Sequence, residues 1–183
     1  MNVKETPARI QECQTLLSGY HMPQWEELPS IDLYMDQVIE LVNRYLDIYR
    51  SFQGENFEIT KPMINNYVKL NMMPAPEKKK YSKIHLAYIL VICTLKQTLN
   101  ISTIRKILPT GISDDEVKKT YTSFVQNQEK AFNYVHIQLE NAANPILKTE
   151  DGNPQRLNDL ILQVASSANI LKCLTEKIID KSE

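Results

Sequence analysis

Apolar residues between Asp32 and Phe52 recur at intervals of three and four: Tyr34, Val38, Leu41, Val42, Tyr45, Tyr49 and Phe52. That is the helical period, so the spacing predicts one helix over 32–52, ended near Gly54. A second helix opens at Thr60, whose hydroxyl suits an N-cap, with Lys61-Pro62 in its first turn. It runs to about Asn71 and stops before Pro74 and Pro76. Ser82 caps a third helix that carries Ile84, Ala87, Tyr88, Val91, Ile92 and Leu95. After a break at Leu99-Asn100, a short helix spans Ser102 to Leu108 and closes at Pro109 and Gly111. Residues 1–28 are interrupted by Pro7, Gly19 and Pro23, leaving room for a short helix around Ile10 to Leu17.

Beyond Gly111 the pattern lengthens. Ser113-Asp114-Asp115-Glu116 has the S-x-x-E form of a capping box. Val117, Tyr121, Phe124, Gln128, Ala131, Val135 and Ala142 then follow at three and four, up to Asn144-Pro145. Asp151-Gly152 reads as a turn, and Asn153-Pro154 starts a last helix. There Leu157, Leu160, Val164, Ser167, Leu171, Leu174 and Ile178 keep heptad order. These two stretches predict a C-terminal helical hairpin whose apolar stripes are too long for each other alone. Core packing explains its aromatic residues Tyr121, Phe124, Phe132 and Tyr134 better than the alternative, a pocket for an unknown effector between the last helices.

Composition agrees with a helical protein that builds a core: 43% of residues are hydrophobic and only four are glycine. No apolar run is long enough to span a bilayer, and MNVKETPARIQECQ contains no apolar signal segment, so a cytoplasmic protein is expected. Cys13, Cys93 and Cys173, and likewise His21, His85 and His136, are scattered in ways that suit structural roles rather than a metal site. A phosphate-binding glycine loop, G-x-S-x-G, HExxH and a Cys/His pair are all missing, so no enzyme activity and no cofactor are expected. The acids at 114–116 suit the first turn of a helix.

Charge changes the picture. The chain carries a formal charge of −1, yet Lys61 to Lys106 holds nine bases against one acid, Glu77. That window is a candidate surface for a polyanion. Within it Met63, Ile64, Tyr67, Val68 and Leu70 share one arc of the helix, with Lys61, Asn65 and Lys69 opposite and Asn66 at the flank. Amides and ammonium groups on such a face can read adenine and guanine edges in a major groove. Lys78-Lys79-Lys80 lies in a proline-bounded turn too short for more than a minimal β-hairpin. Three consecutive ammonium groups gain nothing structurally there, but as a wing they reach backbone phosphates, with Lys83 beside them.

Helix, turn, helix, basic hairpin, helix and short helix is the order of a winged helix-turn-helix. The wording of residues 58–108 resembles the MerR-type regulators. Met63-Ile64-Asn65-Asn66-Tyr67-Val68-Lys69-Leu70-Asn71-Met72-Met73-Pro74 stands where that family has its DNA-binding helix. Lys78–Lys80 stands for the wing, Tyr81-Ser82 for the helix entry, and Ile104-Arg105-Lys106-Ile107-Leu108 for the final helix. Asn71 takes the place of the usual glycine, and Leu99-Asn100-Ile101 that of a Gly-Phe-Ser junction. The whole chain resembles a family of low-GC Gram-positive bacteria, domain-of-unknown-function family 1836.

The expectation is thus an all-α protein: an extension over 1–30, a MerR-like DNA-binding domain over 31–110, and a two-helix dimerisation region over 111–183. The resemblance implies a sequence-specific, homodimeric transcriptional regulator of double-stranded DNA. Its contact residues would be Lys61, Asn65, Asn66, Lys69, Lys78, Lys79, Lys80 and Lys83, together with Tyr67, which is better explained as docked against the core but reaches a phosphate by its hydroxyl if the ring lies at the rim. A helical module that docks an acidic protein partner is the rival expectation.

Overall fold

The computed structural model describes residues 6–54, 57–147 and 154–180. They divide into two compact units: His21–Gln128, and the described residues up to Tyr20 together with those from Glu129 onward. The division therefore falls at 20 and within a long helix at 128, whereas the sequence suggests borders at 30 and 110.

In the first unit, the stretch expected as one helix is three elements. Leu33–Tyr34 is a short strand, β1, followed by α2 (Met35–Tyr45) and α3 (Asp47–Gln53). Leu46 breaks the helix with φ −105° and ψ 18°. The apolar period continues across the break because Leu46 and Ile48 are themselves buried. Gly54 ends α3 at φ 70°, a conformation glycine reaches without steric cost. The next helix, α4 (Lys61–Lys69), ends two residues short of the expectation, and the Thr60 hydroxyl makes no cap bond. Its end is a Schellman motif: Met72 N–H donates to Tyr67 C=O at 3.0 Å, and Asn71 N–H to Val68 C=O at 2.9 Å. Asn71 sits at φ 54°, a left-handed position that asparagine tolerates in place of glycine.

The chain is helical but not purely so. β2 (Lys80–Tyr81) pairs antiparallel with β1, Leu33 opposite Tyr81 and Tyr34 opposite Lys80. α5 (Lys83–Leu95) follows, then α6 (Ile101–Ile107), where the Asn100 side chain accepts the Thr103 N–H at 2.9 Å. α5 is the centre of the unit: every residue from His85 to Thr94 is buried. Around it lie the buried Val38 and Val42 of α2, Ile64 and Tyr67 of α4, and Ile104 of α6. The Ser113 capping box forms as expected, with Ser113 N–H to Glu116 Oε2 at 2.9 Å and Glu116 N–H to Ser113 Oγ at 3.4 Å. It opens α7 (Asp114–Leu147), whose Val117, Tyr121 and Val125 are buried. The Tyr121 hydroxyl donates to Pro23 C=O at 2.7 Å and so fastens the 23–28 segment.

The second unit holds α1 (Thr6–Gly19), the later turns of α7 and α8 (Pro154–Asp180). α1 is longer than expected, and α7 runs through Asn144-Pro145 to Leu147. The Asp151-Gly152 turn lies outside the described residues. Rather than a hairpin of two helices alone, the shared core joins three: Ile10 of α1, Ala143 of α7 and Leu160 of α8, with Ala142, Ile146 and Leu147 against them. Tyr20 and Phe132 stack at 4.5 Å between ring centroids, whereas Tyr134 is 59% exposed and is not core. Past Leu160 the α8 stripe faces solvent: Val164, Leu171, Leu174 and Ile178 are 52–69% exposed.

Candidate nucleic-acid interface

The docking of α4 follows from its wheel. Ile64 and Tyr67 are buried, and Lys61, Asn65, Asn66 and Lys69 are exposed, as the pattern requires. Tyr67 is 1% exposed, and its hydroxyl accepts the Cys93 thiol at 3.9 Å. It is thus an anchor of α4 in the core and out of reach of a phosphate. Burial drives the Tyr67 phenol pKa upward and pushes the Cys93 thiol up to about 12, so neither group ionises at neutral pH.

Two contacts fix the start of α4. Asn43 of α2 pairs with Ile59 as a strand neighbour would, taking its N–H at 2.9 Å and donating to its C=O at 3.3 Å. In the first turn of α2, Asp36 Oδ1 meets Lys61 Nζ at 2.6 Å. Lys61 is therefore present on the expected face but already paired with an acid.

The lysine turn is a tight one. Lys80 N–H donates to Glu77 C=O at 2.8 Å, and the two residues between, Lys78 and Lys79, have φ 47° and 64°. Positive φ at both central positions defines a type I′ turn, which Asn-Gly ordinarily supplies. Two lysines there are held against their backbone preference, the kind of strain that gathers at working surfaces. The β-pairing then sets direction. Leu33 and Tyr81 are buried, so their strand neighbours Tyr34 and Lys80 point outward. Lys80 Nζ lies 5.5 Å from the Tyr34 ring centroid, and Lys83 Nζ 5.3 Å from that of Trp25. The basic turn is thus not a free-standing hairpin: its outgoing strand is hydrogen-bonded to β1, which runs directly into α2.

His85 braces this arrangement from beneath. At the third position of α5 its Nδ1 accepts the Ser82 N–H at 2.9 Å, a role usually taken by Glu or Gln, and Nε2 faces Ala75 C=O at 3.4 Å. Those bonds suit the neutral ring with its proton on Nε2. Burial lowers the His85 pKa, against smaller opposing effects of the Ala75 carbonyl and the Asp32 and Glu77 carboxylates.

Lys78, Lys79 and Lys80 are exposed in the turn and the half-buried Lys83 opens α5 just after it, while Lys61, Asn65, Asn66 and Lys69 are on the exposed face of α4. Asp36 and β1 connect the two sets through α2. The structure sets Tyr34 and Trp25 beside these lysines, which the sequence does not signal: the first falls in a helical stripe and the second in a segment without period. Among the described residues no three His, Cys, Asp or Glu side chains gather as metal ligands, and no helix is long and apolar enough to cross a membrane.

No curated protein and no solved structure matches the chain. The family model described as Domain of unknown function (DUF1836) matches residues 23–134, which takes in the 23–28 segment, both β-strands, α2 to α6 and the start of α7. With more than half of its length matched, the chain belongs to the DUF1836 family.

Proposed function

We propose that this chain is a sequence-specific DNA-binding protein, a bacterial transcriptional regulator with a winged helix-turn-helix of MerR type that acts as a homodimer. The observation that carries the reading is the pairing of a groove-sized polar helix face with a strained, all-lysine turn on one α2 framework. α4 presents the Asn65 and Asn66 amides and the Lys69 ammonium group, a combination that reads base edges, with Lys61 paired to Asp36 at its start. The Lys78–Lys80 turn supplies the phosphate contacts that set register without reading sequence.

The dimer reading rests on α8. Its exposed stripe from Val164 to Ile178 repeats in heptads, and the small Ser167 and Ala168 lie at its middle. Asp159 and Lys177 stand on the same flank, because a separation of about 18 residues is five helical turns. In an antiparallel pair of α8 helices that flank faces itself, so each Asp159 meets the other copy's Lys177.

Titration of the full-length protein with duplex DNA across a salt series tests the reading. Lys78→Ala/Lys79→Ala/Lys80→Ala is expected to weaken binding to every duplex alike and flatten the salt dependence, by a slope of about 0.9 for each phosphate no longer neutralised. Asn65→Ala is expected to leave random-sequence affinity in place and lower preference for the selected site by about 1–3 kcal/mol. Retention on heparin with no binding to any duplex would favour an acidic protein partner and defeat the proposal.

A further inference from the structure

Tyr34 is an exposed aromatic residue outside the core. Its strand neighbour Leu33 enters the core, while the Tyr34 side chain is 55% exposed on the outer face. Its backbone is nevertheless fixed twice, by pairing with Lys80 and by donation of its N–H to Gln37 Oε1 at 2.9 Å. The ring is therefore presented rather than loose, at the junction of the lysine turn and the first turn of α2. Lys80 stands beside it, with Nζ 5.5 Å from the ring centroid. Two residues along the chain, Asp36 pairs with Lys61. An exposed uncharged donor next to an ammonium group suits an oxyanion, and a backbone phosphate is one.

We infer that Tyr34 belongs to the DNA-contacting surface, where its ring holds Lys80 in place and its hydroxyl donates to a backbone phosphate. This rests on the DNA-binding reading above and adds to it a residue that lies outside both α4 and the lysine turn. The ring face attracts the ammonium group and restricts its rotamers, so Lys80 meets the phosphate already aimed. The hydroxyl adds a neutral hydrogen bond, which fixes position but releases no counterion.

Those two roles separate in one experiment. Full-length wild type, Tyr34→Phe, Tyr34→Ala, Lys80→Ala and Tyr34→Ala/Lys80→Ala are titrated by fluorescence anisotropy against random-sequence duplex DNA at several salt concentrations. Tyr34→Phe keeps the ring and removes the donor, so binding is expected to weaken about threefold with the salt slope unchanged. Tyr34→Ala removes both, and a weakening of about tenfold is expected. The Tyr34→Ala and Lys80→Ala effects are expected to be less than additive, which a merely exposed tyrosine would not produce. Should Tyr34→Ala disturb the strand pairing, Tyr34→Phe still carries the test. Wild-type affinity in both Tyr34 variants, alongside abolished binding in Lys78→Ala/Lys79→Ala/Lys80→Ala, would overturn the role of Tyr34 alone. Wild-type affinity in the triple variant as well would show that the lysine turn is not a wing, and no binding of wild type to any duplex would overturn the DNA-binding reading beneath it.

Discussion

α5 and α8 are both rich in aliphatic residues, and they have opposite fates. α5 is apolar around its circumference and is surrounded, with ten consecutive residues from His85 to Thr94 out of solvent. α8 gathers its apolar residues into a seam, and only Leu160 and Ile179 among its described side chains are buried. Apolar content alone thus does not tell whether a helix is covered within its own chain. Distribution does: a helix without a polar side must lie at a centre, whereas a helix with one seam can wait for a partner.

The largest effect should come from the covered helix. Leu90 is fully buried, so Leu90→Ala removes apolar surface and leaves a cavity, and a loss of about 2–5 kcal/mol is expected in urea unfolding. A loss below about 1 kcal/mol would mean that α5 is not the centre of its unit. The exposed helix should respond in the reverse way. Leu171→Glu/Leu174→Glu changes residues that are 56% and 52% exposed. Folding of the single chain should shift by no more than about 0.5 kcal/mol per site. Sedimentation, however, should change from dimer to monomer, because the seam then gathers like charges from both helices of the pair. An unchanged sedimentation coefficient would show that α8 is not where copies meet.

A smaller, pH-dependent effect sharpens the contrast, since α5 contains a titratable group and the α8 seam does not. The His85 pKa is lowered in the folded protein from an ordinary value of 6.5. The unfolded chain therefore takes up the proton first, and folding stability is full above pH 6.5 and declines as pH falls towards the folded pKa. His85→Gln keeps an acceptor for the Ser82 N–H and removes the titration. Chemical melts at neutral and mildly acid pH should then show the acid-side loss reduced in the variant. An equal loss in both proteins would place the sensitive group elsewhere.

Much of the helical framework was legible because it is local. The Ser113–Glu116 box, the exposed face of α4 and the proline that begins α8 depend on residues within a turn or two of one another. The single break at Leu46 was hidden because a buried residue at the kink preserves the apolar rhythm. β1 and β2 were hidden for a different reason: two residues pairing across more than forty positions leave no period to detect. That pairing moved Tyr34 from a supposed core stripe to the surface. Tyr67 lies in the core, as its place on the apolar arc favours, but deep enough to withdraw its hydroxyl from the rim, since the wheel gives the side of the helix and not the depth of the groove that receives it. The lysine turn was legible as charge and not as geometry, because nothing in Lys-Lys suggests left-handed backbone.

That geometry has a kinetic consequence. A flexible lysine loop would meet a polyanion as an ensemble, and each encounter would wait for a productive conformer. With Lys78 and Lys79 already at positive φ and Lys80 tied to β1, the backbone that carries the ammonium groups is arranged before contact. The ordering entropy is spent in folding, not at the interface. For the proposed DNA complex this predicts association set by diffusion and long-range attraction, with discrimination among sequences carried by the lifetime of each complex.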